Sequence, residues 1–347
     1  MKVKIGNKQV GENEPCFISL EPGATYTNFE DAKEMVKFVS ESGADAIKFQ
    51  TFTPGDADRI MGKKDITVNF KTSSGKNKEL VYDALKRREL TVEEWKELVN
   101  YAKKLNLLFI SAPYFPETVE LLEKLQIDAI KVSKGDINNV ILIDLIAKTN
   151  LPVILDAREK LEDVEKAISI CEKNQNKKIV IMHCPSGYPA ESSGVHLNSI
   201  PFLSKKFEYP IAYADHSPGD SMNYAAVGMG AKMLEKTITK NKNIEQVEHF
   251  MSLELNELQI FVNNIRELEK AMGDPTILNT SRVEDTARRS IVAKKSIKKG
   301  EKITLDNIDF RRHGNVGISC SEGFDVLKKS AITDIPEGQI LQWEMLE

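Results

Sequence analysis

Charged and polar side chains recur at the ends of short apolar segments in the first 275 residues or so of the chain. They are Glu21, Lys48, Gln50, Lys131, Asp136, Asp156, Arg158, Asp215, His216, Glu235 and Lys236. Lysine and arginine can hold the carboxylate or phosphate of a substrate. Aspartate, glutamate and histidine can transfer protons, and histidine can also bind a metal. Gathered in one place, such a set is typical of an active site.

The segments that carry these residues have the composition of buried parallel strands. They read CFISLEP, AIKFQTF, LLFISAP, AIKVSKG, PVILDAR, KIVIMHC, PIAYADH and MLEKTIT. Buried parallel strands are continuous runs of Val, Ile and Leu rather than alternating patterns. Because helix-like stretches separate the eight segments, the pattern predicts an α/β fold, a (β/α)8 TIM barrel. In that fold the C-terminal ends of the strands carry the active site.

The chain is longer than a barrel needs, and its pattern changes near residue 275. Residues 1–275 are predicted to form the barrel, 276–286 a linker and 287–347 a small β-rich domain. A capping box at Thr91–Glu94 predicts a helix through Leu105. The segment 54–77 shows few regular signals, and we expect a long loop of the kind that covers active sites.

Composition excludes several classes of protein. A net charge of -4 gives no polyanion-binding signal, so no nucleic acid partner is expected. There is neither an 18-residue apolar run nor an apolar N-terminal signal segment, so no membrane association is expected. The four cysteines are far apart and lack metal-binding spacing, and Cys16 and Cys184 lie in predicted strands. Buried thiols in a reducing cytoplasm are therefore expected.

Two lysines at strand ends, Lys48 and Lys131, would repel each other in one barrel mouth unless an anion or carboxylates lay between them. Asp136 and Glu235 could transfer protons or simply pair with these lysines. Lys131 could also be an amine nucleophile if its pKa were lowered. His216 could bind a metal, but the chain has no H-x-H or HExxH pattern. The residues alone leave these alternatives open.

Several longer motifs resemble the N-acetylneuraminate (sialic acid) synthase family. They are GADAIKFQTF from Gly43, HCPSGYP from His183, YADHSPG from Tyr213, GAKMLEKTIT from Gly230 and EHFMSLE from Glu248. RRSIVAKKSIKKGE from Arg288 and LDNIDFRRHGNVGI from Leu305 resemble the antifreeze-like (SAF) domain of that family. The resemblance covers nearly the whole chain in order. It implies an enzyme that condenses phosphoenolpyruvate with an N-acylated amino sugar to a nine-carbon 2-keto acid, usually with a divalent metal.

The resemblance also implies roles for individual residues. Lys48 and Lys131 match lysines around phosphoenolpyruvate, and Gln50 matches a neighbouring polar residue. Asp136 takes the place of a catalytic glutamate, and Glu235 lies in the Glu-Lys-His motif of the family. The residues implied on the sugar side are Glu21, Glu248 and Arg312, and Tyr188 matches the substrate-binding tyrosine of the Tyr-Pro motif of the family. In the family the counterpart of Arg312 comes from the small domain of a partner, which implies a domain-swapped homodimer.

Departures from the family bear on the metal and the phosphate. His216 matches one metal ligand, but Thr237 replaces the second histidine, so a site for Mn²⁺ or Mg²⁺ is expected to be weak. His249 or Glu235 could complete it. Several hydroxyl-bearing residues that bind the phosphate in the family are replaced. We expect Lys134 and Arg158 to take over the anion as charged donors.

The favoured hypothesis is therefore a sialic (nonulosonic) acid synthase for cell-surface glycan biosynthesis. The first alternative is an aldolase or lyase on the same scaffold that acts on another sugar without phosphoenolpyruvate. The second is a non-catalytic sugar-binding protein.

Overall fold

The structure is a computed structural model, and it describes residues 1–158, 160–274, 276 and 287–347. The chain divides into two compact units, Met1–Gly273 and Asp274–Glu347. The linker predicted at 276–286 lies, apart from Thr276, outside the described residues.

The first unit is built on a closed parallel sheet. Its strands, in chain order, are β1 (Lys2–Ile5), β2 (Lys8–Gly11), β3 (Phe17–Glu21), β4 (Ala46–Gln50), β5 (Thr67–Thr72), β6 (Gly75–Leu80), β7 (Leu108–Ala112), β8 (Ala129–Val132), β9 (Val153–Asp156), β10 (Ile179–His183), β11 (Ile211–Asp215), β12 (Met233–Thr239) and β13 (Leu253–Glu254). The order β11-β10-β9-β8-β7-β4-β3-β12, closed by pairing of β11 with β12, is an eight-stranded barrel. These eight strands are the eight predicted ones, so the predicted fold is confirmed.

Helices cover the outside of the barrel. They are α1 (Phe29–Glu41), α2 (Asp56–Ile60), α3 (Val81–Lys86), α4 (Val92–Lys104), α5 (Pro116–Lys124), α6 (Val140–Lys148), α7 (Leu161–Lys173), α8 (Ser199–Lys206), α9 (Ser221–Gly228) and α10 (Leu258–Met272). Helix α4 begins with the predicted capping box, since Thr91 and Glu94 bond each other's backbone N–H. Asn28 caps α1 by accepting from the backbone N–H of Asp31 at 2.9 Å. Local sequence thus sets these helix starts.

The N-terminal hairpin β1–β2 was not predicted, and it closes one end of the barrel. Val3, Ile5 and Val10 are buried and pack with Phe17 and Ala46 of the barrel wall. Burying an aliphatic side chain of this size contributes roughly 1.5–3 kcal/mol. Because the hairpin fills the N-terminal end, the opposite end is left for ligands.

The insertion after β4 has more regular structure than expected. The segment predicted as an irregular loop at 54–77 contains α2, β5 and the first half of β6, and the antiparallel pair β5–β6 is followed directly by α3. Phe70 packs against Ala24 and Val247, and the N–H of Lys71 donates to the carbonyl of Tyr188 at 2.8 Å. The hairpin is thereby fixed to loops that follow three barrel strands. The exposed, polar surface of β6 hid its strand pattern from the sequence.

The second unit has its own apolar core. Strands β14 (Arg289–Ala293) and β15 (Ile308–Arg312) pair antiparallel, and a short helix α11 spans Gly323–Val326. The buried side chains include Ile291, Ile303, Ile335 and Leu341. A small β-rich domain, as predicted, is what the structure shows at this end of the chain.

Candidate active site

The predicted acid and base residues meet at the C-terminal ends of the barrel strands, which we call the mouth. Lys48 forms an ion pair with Glu21, and Lys131 forms one with Glu235. The Lys48 Nζ atom also lies 3.8 Å from the Glu235 Oε1 atom, so the four groups form one alternating chain of charges. All four side chains are at most 6% exposed. Strand alternation points Lys48 inward while Ile47 and Phe49 pack outward against helices.

The two glutamates of this chain have opposite pKa shifts. Burial acts to raise the pKa of Glu21, but the Lys48 and Lys131 ammoniums lower it below its usual range. Burial raises the pKa of Glu235, against the opposing effect of Lys131 and Lys48. Burial acts to lower the pKa of Lys131, but the Glu235 and Asp156 carboxylates raise it. The two carboxyl groups thus have pKa values shifted in opposite directions, an arrangement typical of acid–base catalysis, and Glu235 is the one whose burial favours the protonated form.

Gln50 connects the charge chain to two residues that the sequence did not single out. Its amide nitrogen donates to Glu21 at 3.1 Å, and its oxygen accepts from the Tyr114 hydroxyl at 3.0 Å. The same oxygen accepts from the Arg88 Nη1 atom at 3.1 Å. Arg88 lies in a charged run at the end of α3 that resembles a solvated helix terminus. Only the tertiary fold distinguishes Arg88 from its neighbour Arg87.

Asp156 and Arg158 form a buried ion pair at the end of β9. The Arg158 Nε atom lies 2.9 Å from Oδ1 of Asp156, and Nη2 lies 2.5 Å from Oδ2. Burial acts to raise the pKa of Asp156, but the Arg158 guanidinium lowers it. Arg158, which was expected to bind an anion, is thus held by a carboxylate of the chain itself.

His216 is buried beside Tyr188 and Cys184. The Tyr188 and His216 rings stack with centroids 5.3 Å apart, and the Cys184 Sγ atom lies 3.9 Å from His216 Nε2. Burial, and then the positive charge of Arg158, lower the pKa of His216 to about 3. The imidazole is therefore neutral at physiological pH. Its Nδ1 atom is buried without a hydrogen-bond partner among the described residues.

A second buried ion pair fixes the turn that carries His216. Lys236 Nζ lies 2.7 Å from Asp215 Oδ2, and neither side chain is exposed. Asp215 also accepts from Asn223 at 2.6 Å and from the Ser217 backbone N–H at 2.9 Å. Asp215 and Lys236 thus position the mouth rather than line it.

Glu248 reaches the mouth from a left-handed backbone conformation, with φ of 75°. Its carboxylate accepts from the Ala24 backbone N–H at 2.6 Å. A Cβ atom at Gly23 would lie 2.1 Å from the Glu248 Oε2 atom, so only glycine fits there. Burial, and then the charge of Glu21, raise the pKa of Glu248. Thr237, at the place of the family histidine, lies close to Gly23 and has a buried hydroxyl without a partner among the described residues.

Three predicted site residues lie apart from the charge chain. Asp136 is half-buried in a short 3-10 turn, where it accepts from Asn139 at 2.9 Å, and burial raises its pKa. Lys134 begins the same turn and is exposed. Arg312 is exposed at the end of β15 in the second unit. The mouth itself brings together Glu21, Lys48, Gln50, Lys131, Tyr188, His216, Glu235 and Glu248, with Arg158 beside His216.

The donor set around His216 bears on the metal prediction. Among residues 1–158, 160–274, 276 and 287–347, no three His, Cys, Asp or Glu side chains converge in a way that could hold a metal ion. His249, considered as a second ligand, instead bonds Thr239 through Nδ1 at 2.7 Å. These residues do not fit a metal held by the protein alone, and we assign no step to one.

We therefore expect metal dependence to be weaker than in relatives with two metal-binding histidines. A single neutral imidazole is a weak anchor, and a threonine hydroxyl is a poor ligand for Mn²⁺. Crystals soaked in Mn²⁺ should show little anomalous signal at His216. A strong peak bound by His216 and a second protein ligand would contradict this expectation.

His249 gives a test of pH-dependent stability. Burial lowers its pKa from 6.5 to about 4. Between these values the unfolded state binds more protons, so stability falls as pH falls, by up to about 3 kcal/mol for this one group. Urea unfolding of His249→Gln from pH 4 to 6.5 should show a shallower dependence on pH than the wild type. The exposed His196→Gln is the control, and equal slopes in all three proteins would contradict the assignment.

A buried chain of acids and bases at the mouth of a parallel barrel defines an enzyme scaffold. The model of the NeuB family matches residues 35–276, and the SAF domain model matches residues 288–347. The chain therefore belongs to the NeuB family and is a synthase-type enzyme with a C-terminal SAF domain. The family predicted from the sequence is confirmed.

Three relatives illustrate the similarity. N,N'-diacetyllegionaminic acid synthase of Campylobacter jejuni is 35% identical over 90% of this chain and 94% of that protein. Human N-acetylneuraminate-9-phosphate synthase is 29% identical over 97% and 94%. The crystal structure of N-acetylneuraminic acid (sialic acid) synthetase from Leptospira borgpetersenii matches with a TM-score of 0.72 at 26% identity, over 82% of this chain and 94% of that one. No helix in the described part of this chain is long and apolar enough to cross a membrane.

Proposed function

We propose that the protein condenses phosphoenolpyruvate with an N-acylated amino sugar to give a nine-carbon 2-keto acid. The observation that carries this proposal is the buried chain Glu21–Lys48–Glu235–Lys131 at the mouth. It offers cations for an anionic substrate and, beside them, a carboxyl group whose pKa is raised by burial. The names of the relatives, which are synthases of legionaminic acid and N-acetylneuraminate 9-phosphate, support the same reaction class.

The proposed reaction forms one carbon–carbon bond and releases phosphate. The alkene carbon of phosphoenolpyruvate attacks the aldehyde carbon of the open-chain sugar, and the aldehyde oxygen takes up a proton. Water then adds at C2, loses a proton, and the C2–O bond to phosphate breaks, which leaves the 2-keto acid. Glu235 and Asp136, whose pKa values burial raises, are the proposed proton-transfer groups.

The cations of the mouth are the proposed anion-binding groups. Lys48, Lys131 and Arg158 each hold a carboxylate of the chain, so a substrate anion exchanges with that carboxylate as it binds. The exchange replaces one charge-assisted contact by another. Lys131 is not proposed as a Schiff-base amine, because the neighbouring carboxylates raise its pKa. Exposed Lys134 is proposed as an outer contact for the anion.

Asp156 favours a second candidate function. Its carboxylate, buried at the end of β9, replaces a hydroxyl of the family motif and holds the Arg158 guanidinium. An anion that binds to Arg158 must approach this carboxylate, which repels a phosphate dianion more than a carboxylate monoanion. The second candidate is therefore an aldolase or lyase that uses pyruvate in place of phosphoenolpyruvate.

One assay separates the two candidates. The full-length protein is incubated with phosphoenolpyruvate and a panel of amino sugars, with and without Mn²⁺, and phosphate and 2-keto acid are measured. Equal amounts of both products support the synthase. If no sugar releases phosphate, while a nine-carbon 2-keto acid is cleaved to pyruvate, the second candidate replaces it.

We also propose that Arg312 of one copy completes the mouth of a second copy in a swapped homodimer. Support comes from its family motif and its exposed position in the second unit. A linker of about 11 residues can span up to roughly 35 Å. Mixing Arg312→Ala with Lys131→Ala chains should partly restore activity, since some heterodimer mouths regain both residues. No recovery after proven subunit exchange would refute the shared site.

A further inference from the structure

Arg88 is a buried cation that has no carboxylate partner among the residues that the structure describes. Its side chain is 5% exposed, and its guanidinium carbon lies 4.9 Å from the Phe52 ring centroid. Nε donates to the Ala84 carbonyl at 2.7 Å, and Nη1 donates to the Gly23 carbonyl at 3.4 Å and to Gln50. No described residue forms an ion pair with it, and none accepts a hydrogen bond from Nη2. Buried charges are costly unless they are paired.

The other cations of the mouth show what Arg88 lacks. Lys48, Lys131 and Arg158 each hold a carboxylate in the structure. Arg87, next in sequence, forms an ion pair with Glu79 and donates to the Ala24 carbonyl. Glu248 is near enough for Arg88 to lower its pKa, but the two form no ion pair, and the Glu248 carboxylate accepts from the Ala24 backbone N–H instead. The guanidinium is therefore available to bind an anion from outside the chain.

Arg88 and Arg158 act on different sides of the mouth. Arg88 donates to Gly23, which follows β3, and to Gln50, the last residue of β4. Arg158 follows β9. In the barrel, β8, which carries Lys131, and β7 separate β9 from β4. The mouth thus has two separate cationic poles, which suit a pair of reactants that each carry an anion.

We infer that Arg88 binds an oxyanion on the acceptor sugar, so that the acceptor is a sugar phosphate or a sugar carboxylate rather than a neutral amino sugar. This inference rests on the proposed function, in which the sugar is the acceptor and phosphoenolpyruvate, the donor, binds on the side of Lys131 and Arg158. Gln50, which accepts from Arg88, also donates to Glu21, so the guanidinium is one side chain away from the charge chain. Nη2 has two N–H donors for the anion, and such charge-assisted bonds are among the stronger polar contacts.

Binding to the full-length protein tests this without any turnover. Calorimetric titrations use N-acetylmannosamine, its 6-phosphate and its uronate, with wild type, Arg88→Gln and Arg59→Gln. Arg59 is an exposed arginine of the same insertion and serves as the matched control. We expect wild type and the control to bind a charged sugar at least tenfold more tightly than the neutral one. Arg88→Gln should lose that preference, and Arg88→Lys should regain part of it.

The outcomes separate this inference from the proposed function. Preference for the phosphate or for the uronate identifies the source of the oxyanion. Equal affinity of the wild type for charged and neutral sugars overturns the inference. An equal loss of affinity for both sugars in Arg88→Gln also overturns it, because it shows a structural role for Arg88. If Arg88→Gln does not fold, the wild-type preference should still weaken with added salt, and a salt-independent preference overturns it. Arg88-dependent binding without phosphate release from phosphoenolpyruvate refutes the synthase proposal alone.

Discussion

Replacing Lys131 with alanine is expected to lower kcat/KM by about 30- to 1000-fold, which corresponds to a loss of about 2–4 kcal/mol in the transition state. Lys131 is 3% exposed and contacts Glu235, so the variant loses an anion-binding charge and also leaves a carboxyl group unpaired. The unpaired Glu235 should then hold its proton to higher pH, because a raising effect of burial is no longer opposed by Lys131.

The measurement must separate lost chemistry from lost folding. Removing one member of a buried ion pair destabilises proteins by roughly 3–5 kcal/mol, so the rate is compared per folded molecule, with the folded fraction from thermal unfolding. Lys124→Ala, at an exposed position on α5, is the control and should match wild type. A folded Lys131→Ala within threefold of wild-type kcat/KM would remove Lys131 from the site.

The barrel could be predicted because its strands carry a signal that needs no tertiary information. Segments such as PVILDAR are buried on both faces, so they are continuous apolar runs that end in charge. The hairpin β1–β2 also had a signal, since Val3 and Ile5 alternate with lysines before a turn at Gly6. It was missed because the N-terminal segment was considered only as a possible signal peptide.

The site could be predicted as a set of residues but not as a set of pairs. Strand ends identify Lys48, Lys131 and Glu235, because parallel strands bring their C-terminal ends together. Which lysine contacts which glutamate depends on side-chain directions around the closed barrel. Arg88 shows this limit of sequence-based prediction most clearly, because its neighbour Arg87 lies in the same charged run but pairs with Glu79. Contacts across the fold, with Phe52 and Gln50, distinguish the two.

Replacing Glu235 with glutamine is expected to lower kcat by about 10²- to 10⁴-fold while KM changes little. Glutamine keeps the size of the side chain and a donor toward the substrate, but it cannot transfer a proton. Because the amide leaves buried Lys131 without its carboxylate, the variant is expected to lose roughly 3–5 kcal/mol of stability, so the rate is again compared per folded molecule.

The dependence of the rate on pH tests whether Glu235 transfers the proton. An acid must be protonated to act, so the wild-type rate should fall as pH rises through the raised pKa of Glu235. Glu235→Gln should lose that alkaline limb along with most of the rate, whereas Glu191→Gln, at an exposed position, should keep both. If the variant retained the same limb, the proton would come from another group, and half-buried Asp136 would be the next to replace. Glu235 is the stronger assignment because burial raises its pKa, whereas the neighbouring lysines lower the pKa of Glu21.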